Sequence, residues 1–179
     1  MLFETQRLII RTFETGDLED FHQYRSDPKV CHYQGYEPMD EAACQKYIAD
    51  QQDKILGNFE GWMQIAIVKK SDGKVIGDFG LKLMEHELSV AELGISLSAN
   101  EQKKGFAQEA MEGLLYYLFN SKKILRIQAL VLTQNRPAIR ILEKIGFSQE
   151  AHFCEITFFN REWCDEFMYA LLKKEWIAS

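Results

Sequence analysis

Six apolar residues, Ala107, Ala110, Met111, Leu114, Leu115 and Leu118, fall at i, i+3, i+4, i+7, i+8 and i+11. That spacing draws one apolar stripe along a helix. A stripe of this kind has to be covered by another layer of structure. Strand-like runs flank it. Upstream are Trp62–Lys69, Lys74–Met84 and Leu88–Ser98. Ser71-Asp72-Gly73-Lys74 joins the first two as a hairpin, since Asp-Gly supplies the positive φ of a tight turn. Downstream, Arg126–Leu132 is a strand, and Ala138, Ile141, Leu142 and Ile145 mark a helix that Gly146 closes as a C-terminal cap. Phe147–Phe159 and Trp163–Leu172 form a last pair of strands through Asn160-Arg161-Glu162.

The start of the chain adds a strand over Arg7–Phe13 and a helix from Thr15-Gly16-Asp17 carrying Leu18, Phe21 and Tyr24. Asp27-Pro28 stops that helix, residues 31–38 form an aromatic and polar loop, and Asp40 caps a second helix running to about Leu56. The predicted order is strand, two helices, three meander strands, helix, strand, helix, two strands. This is an α/β chain of the α+β kind: a mixed, mostly antiparallel sheet of about seven strands with helices on both faces. With 179 residues, and roughly 100–200 residues per domain, one domain spanning 1–179 is expected.

Hydrophobic residues make up 46% and charged residues 27%, the balance of a globular chain with a real core. A net charge of -6 argues against a long electrostatic grip on nucleic acid and suits a cationic partner. No apolar run approaches the ~18 residues of a membrane span, and the first residues lack a signal-peptide pattern. Cys31, Cys44, Cys154 and Cys164 contain no C-x-x-C pair, so reduced thiols in a cytoplasm are expected and no metal constellation is read. His86, between Glu85 and Glu87, reads as part of an exposed turn; His22, His32 and His152 read as structural or surface residues.

Leu93-Gly94-Ile95-Ser96-Leu97 leads into Gln102-Lys103-Lys104-Gly105-Phe106-Ala107, where the striped helix begins. The first amides of a helix lack internal partners and sit at the positive end of its dipole, so they attract anions. Gly105 allows close approach of the chain to a phosphate, Ala107 leaves room against the first turn, and Lys103 and Lys104 add charge. The loop lacks the Gly-Lys-Ser/Thr ending of a nucleoside-triphosphate loop and is not G-x-G-x-x-G. Asn135-Arg136-Pro137-Ala138 opens the next helix. Asn135 reads as its cap, as a donor toward an amide-bearing cofactor arm, or as both.

Together these features resemble the GNAT superfamily of acetyltransferases. The family's Arg/Gln-x-x-Gly-x-Gly/Ala loop is matched by Gln102, Gly105 and Ala107; its Asn-x-x-Ala/Ser, helix, apolar-Gly-Phe segment is matched by Asn135, Ala138, Gly146 and Phe147. Thr5–Arg11 and Trp163–Trp176 look like the branch that holds the ribosomal-protein alanine N-acetyltransferases.

The resemblance implies acetyl-CoA as cosubstrate and an amine as acceptor, in direct attack through a ternary complex. It implies that the cofactor arm pairs with the backbone of Ile95 and Leu97, that the Ile95 amide faces the oxyanion, and that the amides of Lys103 to Ala107, including Phe106, hold the diphosphate. The family's tyrosine, seven residues after the asparagine, is Leu142 here, and the branch's serine is Ala138. Tyr33 and Tyr36 are then the tyrosines to consider as proton donors. Glu92 is the candidate base, although strand alternation puts it opposite Ile95 unless a bulge turns it. Tyr33, Tyr36, Glu37, Phe153 and Glu155 are candidate acceptor lining. The acceptor is a protein N-terminus or a small amine such as a polyamine, amino sugar or amino acid; a coenzyme A-binding module without catalysis is the third reading. Either a monomer or a homodimer fits.

Overall fold

A computed structural model describes residues 1–34, 36–55, 61–84, 87–159 and 161–178. Eight strands form one sheet: β1 (Phe3–Glu4), β2 (Leu8–Arg11), β3 (Met63–Lys69), β4 (Val75–Met84), β5 (Glu87–Leu97), β6 (Arg126–Leu132), β7 (Ser148–Phe159) and β8 (Glu162–Leu172). Their order across the sheet is β1-β2-β3-β4-β5-β6-β8-β7. Every neighbouring pair is antiparallel except β5 and β6. The strand beyond the expected seven is β1, a two-residue pairing of Phe3 with Ile10 and Glu4 with Ile9, too short to show a period.

The helices are α1 (Leu18–Arg25), α2 (Pro28–Cys31), α3 (Glu41–Gln52), α4 (Phe106–Ser121), α5 (Arg136–Ile145) and α6 (Lys173–Ala178). Residues Thr15–Asp17 form a 3-10 turn, so α1 begins three residues later than expected. Asp27-Pro28 does two jobs. Proline stops α1, and the Asp27 carboxylate accepts from the Lys29 amide at 2.9 Å to open α2. Asp40 caps α3 through the Ala43 amide at 2.8 Å. That helix ends at Gln52; Leu56, the expected end, lies outside the described residues, as do Glu85, His86 and Asn160 of the two expected turns.

Side chains of β3 are buried on both faces of the sheet from Met63 to Val68. Met63, Ile65 and Ile67 face a core completed by Met111, Leu114 and Leu118 of α4 and Leu142 of α5. Ala66 and Val68 face a second core with Phe21 and Tyr24 of α1 and Ile48 of α3. A strand buried on both faces shows no apolar–polar alternation, and the one buried polar side chain of β3 is Gln64.

The second core contains a buried ion pair. Arg25 Nη2 lies 2.7 Å from Asp78 Oδ2, and the Tyr24 hydroxyl donates to the same oxygen at 2.6 Å. The guanidinium also stands 4.2 Å from the centre of the Tyr36 ring. Burial works against the charge of Arg25, but Asp78 together with Tyr24 and Tyr36 raises its pKa and the guanidinium stays protonated. Among the described residues no helix is long and apolar enough to cross a membrane.

Candidate active site

β5 and β6 run parallel, but they pair only at Val90–Arg126, Ala91–Ile127 and Glu92–Gln128. Beyond Glu92 the two strands part. A cavity of about 420 Å³ opens in the gap, lined by Glu92 to Ile95 on one side and Ala129 to Leu132 on the other. Met111 of α4, Asn135, and Ala138, Ile141 and Leu142 of α5 close one end; Tyr33, Gln34, Trp62, Thr157, Phe159 and Glu166 complete it.

The parting leaves one edge of β5 without a strand partner. Alternate residues in a strand present their backbone groups to the same edge, and Ile95 and Leu97 share this one. Their carbonyls take side-chain donors instead: Gln34 Nε2 at 3.1 Å from Ile95 O, and Gln102 Nε2 at 3.1 Å from Leu97 O. The Leu97 side chain itself is buried in the core.

Glu92 lines the cavity with no bulge beside it. The β4–β5 register runs unshifted from Gly77–Leu97 to Leu83–Ala91, and the irregularity falls further on, at Met84–Glu87. Four successive residues, Glu92 to Ile95, line the gap because it cuts through the sheet edge, so both faces of the strand meet it. Glu92 is half-buried. Desolvation raises its pKa, opposed by Lys82 and by a hydrogen bond from Gln128, while Glu166 pushes it further up.

Past Leu97 the chain enters the basic loop. Lys103 has φ 62 and Gly105 φ 83. Left-handed residues interleaved in a loop turn its amides toward one side, a ready concavity for an anion. Gly105 occupies the cap position of α4 and has no side chain with which to cap it. The first amides of α4 are thereby left for an external partner. A Cβ at Gly105 would stand 3.3 Å from Arg7 Nη2.

Arg7 fastens this corner. Its Nη1 donates to Lys104 O at 3.1 Å, its Nε pairs with Glu109 at 2.5 Å, and its guanidinium lies 4.4 Å from the Phe106 ring centre. The Phe106 side chain is buried, so only its backbone faces the loop. Lys104 is paired with Glu101 at 3.0 Å, while Lys103 is exposed.

Asn135 caps α5, its Oδ1 accepting from the Ala138 amide at 3.3 Å, and it also lines the cavity. Cap and cavity wall are therefore the same residue. Leu142 and Ala138 both line the cavity, so the positions that the resemblance assigns to a tyrosine and a serine are apolar here. Tyr33 supplies a tyrosine to the same wall. Tyr36 lies off it: its hydroxyl is 3.3 Å from Ser96 Oγ, and burial pushes its pKa up to about 12. Glu37 is exposed. Glu155 and Phe153 lie off the cavity as well, on β7, where the Glu155 amide donates to Asp165 at 2.9 Å. On β7 the register shifts between Phe153 and Thr157.

Gln34, Trp62, Thr157, Phe159 and Glu166 also line the cavity, and none is a candidate from the sequence. Each arrives from a segment distant in sequence, and only the sheet order brings them together.

A parted pair of parallel strands leading to an anion-seeking helix start can hold an elongated ligand along the β5 edge with its anionic end at α4. Residues 7–148 match the acetyltransferase (GNAT) domain, and the chain belongs to that family. It is an acetyl-CoA-dependent N-acetyltransferase. It is 31% identical over 173 residues to the uncharacterized N-acetyltransferase p20 of Bacillus licheniformis, covering 96% of each chain. It is 27% identical over 174 residues to a spermidine N(1)-acetyltransferase of Vibrio cholerae, covering 94% of this chain and 95% of that one. Among solved structures it is similar to a GNAT-family acetyltransferase from Bacillus anthracis, with a TM-score of 0.86 and 28% identity over 96% of this chain and 98% of the other.

Proposed function

We propose that this chain, as one catalytic domain over residues 1–179, acetylates a primary amine of a small cationic molecule held in the cavity between β5 and β6. The observation that carries this reading is the pairing of Glu92 and Glu166 in one cavity of about 420 Å³. Two carboxylates facing the same space attract a cation, and the walls keep the site small. The similarity to a spermidine acetyltransferase supports the same acceptor class.

The free edge of β5 and the Gly105 loop fit a long amide-bearing donor that ends in phosphates. Acetyl-CoA supplies an activated acetyl thioester. Ile95 and Leu97 hold its arm through backbone groups, the amides from Lys103 to Ala107 take its diphosphate, and Asn135 offers its side-chain amide. Glu92 takes the proton that keeps an ammonium unreactive, and its raised pKa makes it a better base than an ordinary carboxylate. The Ile95 amide faces the carbonyl oxygen as charge develops there. Tyr33 gives a proton to the departing sulfur and regains one from solvent, while the nitrogen loses a second proton, keeping one in the product amide, and Glu92 passes both on to solvent. Bond made and bond broken are N–C and C–S, with an amide and a free thiol as products.

An acetyl-transfer screen tests this reading. The panel pairs acetyl-CoA with polyamines, amino sugars, amino acids and peptides with free N-termini, and measures thiol release. Turnover should concentrate on small amines carrying a second positive charge. Turnover confined to peptides would replace the acceptor with a protein N-terminus.

A further inference from the structure

β7 and β8 hold a second cluster on the face opposite Glu166. Opposite Asp165 the register of β7 slips: Phe153 pairs with Glu166 and Thr157 with Cys164, so Cys154, Glu155 and Ile156 all face one residue. Glu155 takes φ 48 at this bulge, a conformation that costs a non-glycine residue energy and marks a place held by its surroundings. Asp165 holds it. Its Oδ1 accepts from the Glu155 amide at 2.9 Å, and its Oδ2 lies 2.8 Å from His152 Nε2. Cys154 is exposed, and a donor atom from each of His152, Cys154 and Asp165 lies within 4.8 Å of the others.

We propose that His152, Cys154 and Asp165 bind one divalent transition-metal ion of the zinc type, with a fourth position open to solvent. An imidazole, a thiolate and a carboxylate are the three donor types zinc accepts, at about 2.0–2.3 Å each. Around a tetrahedral ion such donors stand roughly 3–4 Å apart. The three donor atoms, all within 4.8 Å of one another, stand near that spacing. The ring of His152 packs edgewise on Phe167 with centroids 5.0 Å apart, which limits its swing. The Asp165 oxygen bound to the Glu155 amide fixes the carboxylate, and the other oxygen turns to the ion.

Nothing in the sequence spacing announces the site, because His152 and Cys154 are only two apart on one strand and Asp165 joins them across the bulge. Asp165, Phe167 and Tyr169 alternate onto one face, and the Tyr169 hydroxyl donates to Glu143 of α5 at 2.9 Å. The cluster therefore backs onto the strand that carries Glu166 into the cavity. An ion there fixes β7 to β8 directly behind the cavity wall.

Cobalt is the probe. The intact protein, stripped with a chelator and kept reduced by a non-thiol reductant, is titrated with Co²⁺ and then with Zn²⁺. Saturation at one equivalent per chain is expected, with a thiolate-to-cobalt charge-transfer band and the strong visible bands of a tetrahedral centre, both bleached by zinc. The other cysteines, Cys31, Cys44 and Cys164, are buried, so Cys154→Ser should abolish the charge-transfer band. His152→Gln should weaken cobalt binding by about tenfold or more. Both residues are exposed, so both variants should keep the parent's circular dichroism. No saturable binding, an unchanged band in Cys154→Ser, or saturation at half an equivalent would each overturn the proposal. None of these readouts depends on acetyl transfer.

Discussion

The side-chain amide of Gln34 donates to the main-chain carbonyl of Ile95 at 3.1 Å, joining the aromatic loop to the unpaired edge of β5. Gln102 does the same for Leu97. Both carbonyls lie where a donor's amide-bearing arm is proposed to pair, so these glutamines occupy hydrogen bonds that the arm would take over.

Gln34→Ala should tighten the binding of coenzyme A. A net hydrogen bond is worth roughly 0.5–1.5 kcal/mol, so removing the competitor should lower the dissociation constant by about two- to tenfold. Calorimetric titration measures it. Weaker binding would mean that Gln34 stays in place and contacts the donor itself.

Gly105→Val should damage the loop twice. The backbone strain of a side chain at φ 83 costs roughly 1–2 kcal/mol, and the α4 amides lose access to phosphate. Gly73 has φ 72 in the β3–β4 hairpin, with nothing within 4 Å of its added Cβ. Gly73→Val is therefore the control for backbone strain. Both variants should melt lower, and only Gly105→Val should lose the thermal shift caused by coenzyme A.

Glu92→Gln should trade activity for stability. The folded pKa of Glu92 lies above its unfolded value, chiefly through desolvation. Such a group contributes stability that is complete below its unfolded pKa and disappears as pH rises through the folded one. At neutral pH the buried charge is a cost, so the glutamine variant should melt at or above the parent. Its kcat should fall by roughly 10²-fold or more if Glu92 is the base, and the acidic limb of the parent's pH–rate profile should be gone. An unchanged kcat would remove Glu92 from the proton path.

Asp78→Ala should be the most destabilising of these changes. It strands the Arg25 guanidinium in the core, and breaking a buried pair costs about 3–5 kcal/mol. Tyr24 loses its acceptor at the same time. Urea denaturation reads the loss.

Periodicity carried most of the fold. The stripe of α4, the Asp72-Gly73 hairpin and the Gly146 cap lie where the sequence puts them, because each depends on neighbours within a few residues. β1 escaped because two residues cannot show a period. The site was legible where backbone does the work, at Gly105 and along Ile95 to Leu97, since loop-and-helix geometry is local. The cavity wall was not. Alternation keeps Glu92 and Ile95 on opposite faces, yet both meet the cavity where the sheet parts. Gln34 and Glu166 meet β5 only through the crossing of distant segments, and no local pattern encodes that.

Only three rungs join β5 to β6 before the strands separate, so the sheet carries a seam down its middle. Amides of β4 and β8, enclosed by ladders on both sides, should exchange their hydrogens only when the whole chain opens. Those of Ile95 and Leu97 need no opening to meet water. A donor laid along the seam would supply the missing ladder and move these amides from the fast class to the slow one. Occupancy would then register as protection from exchange, with no shift of any helix or strand.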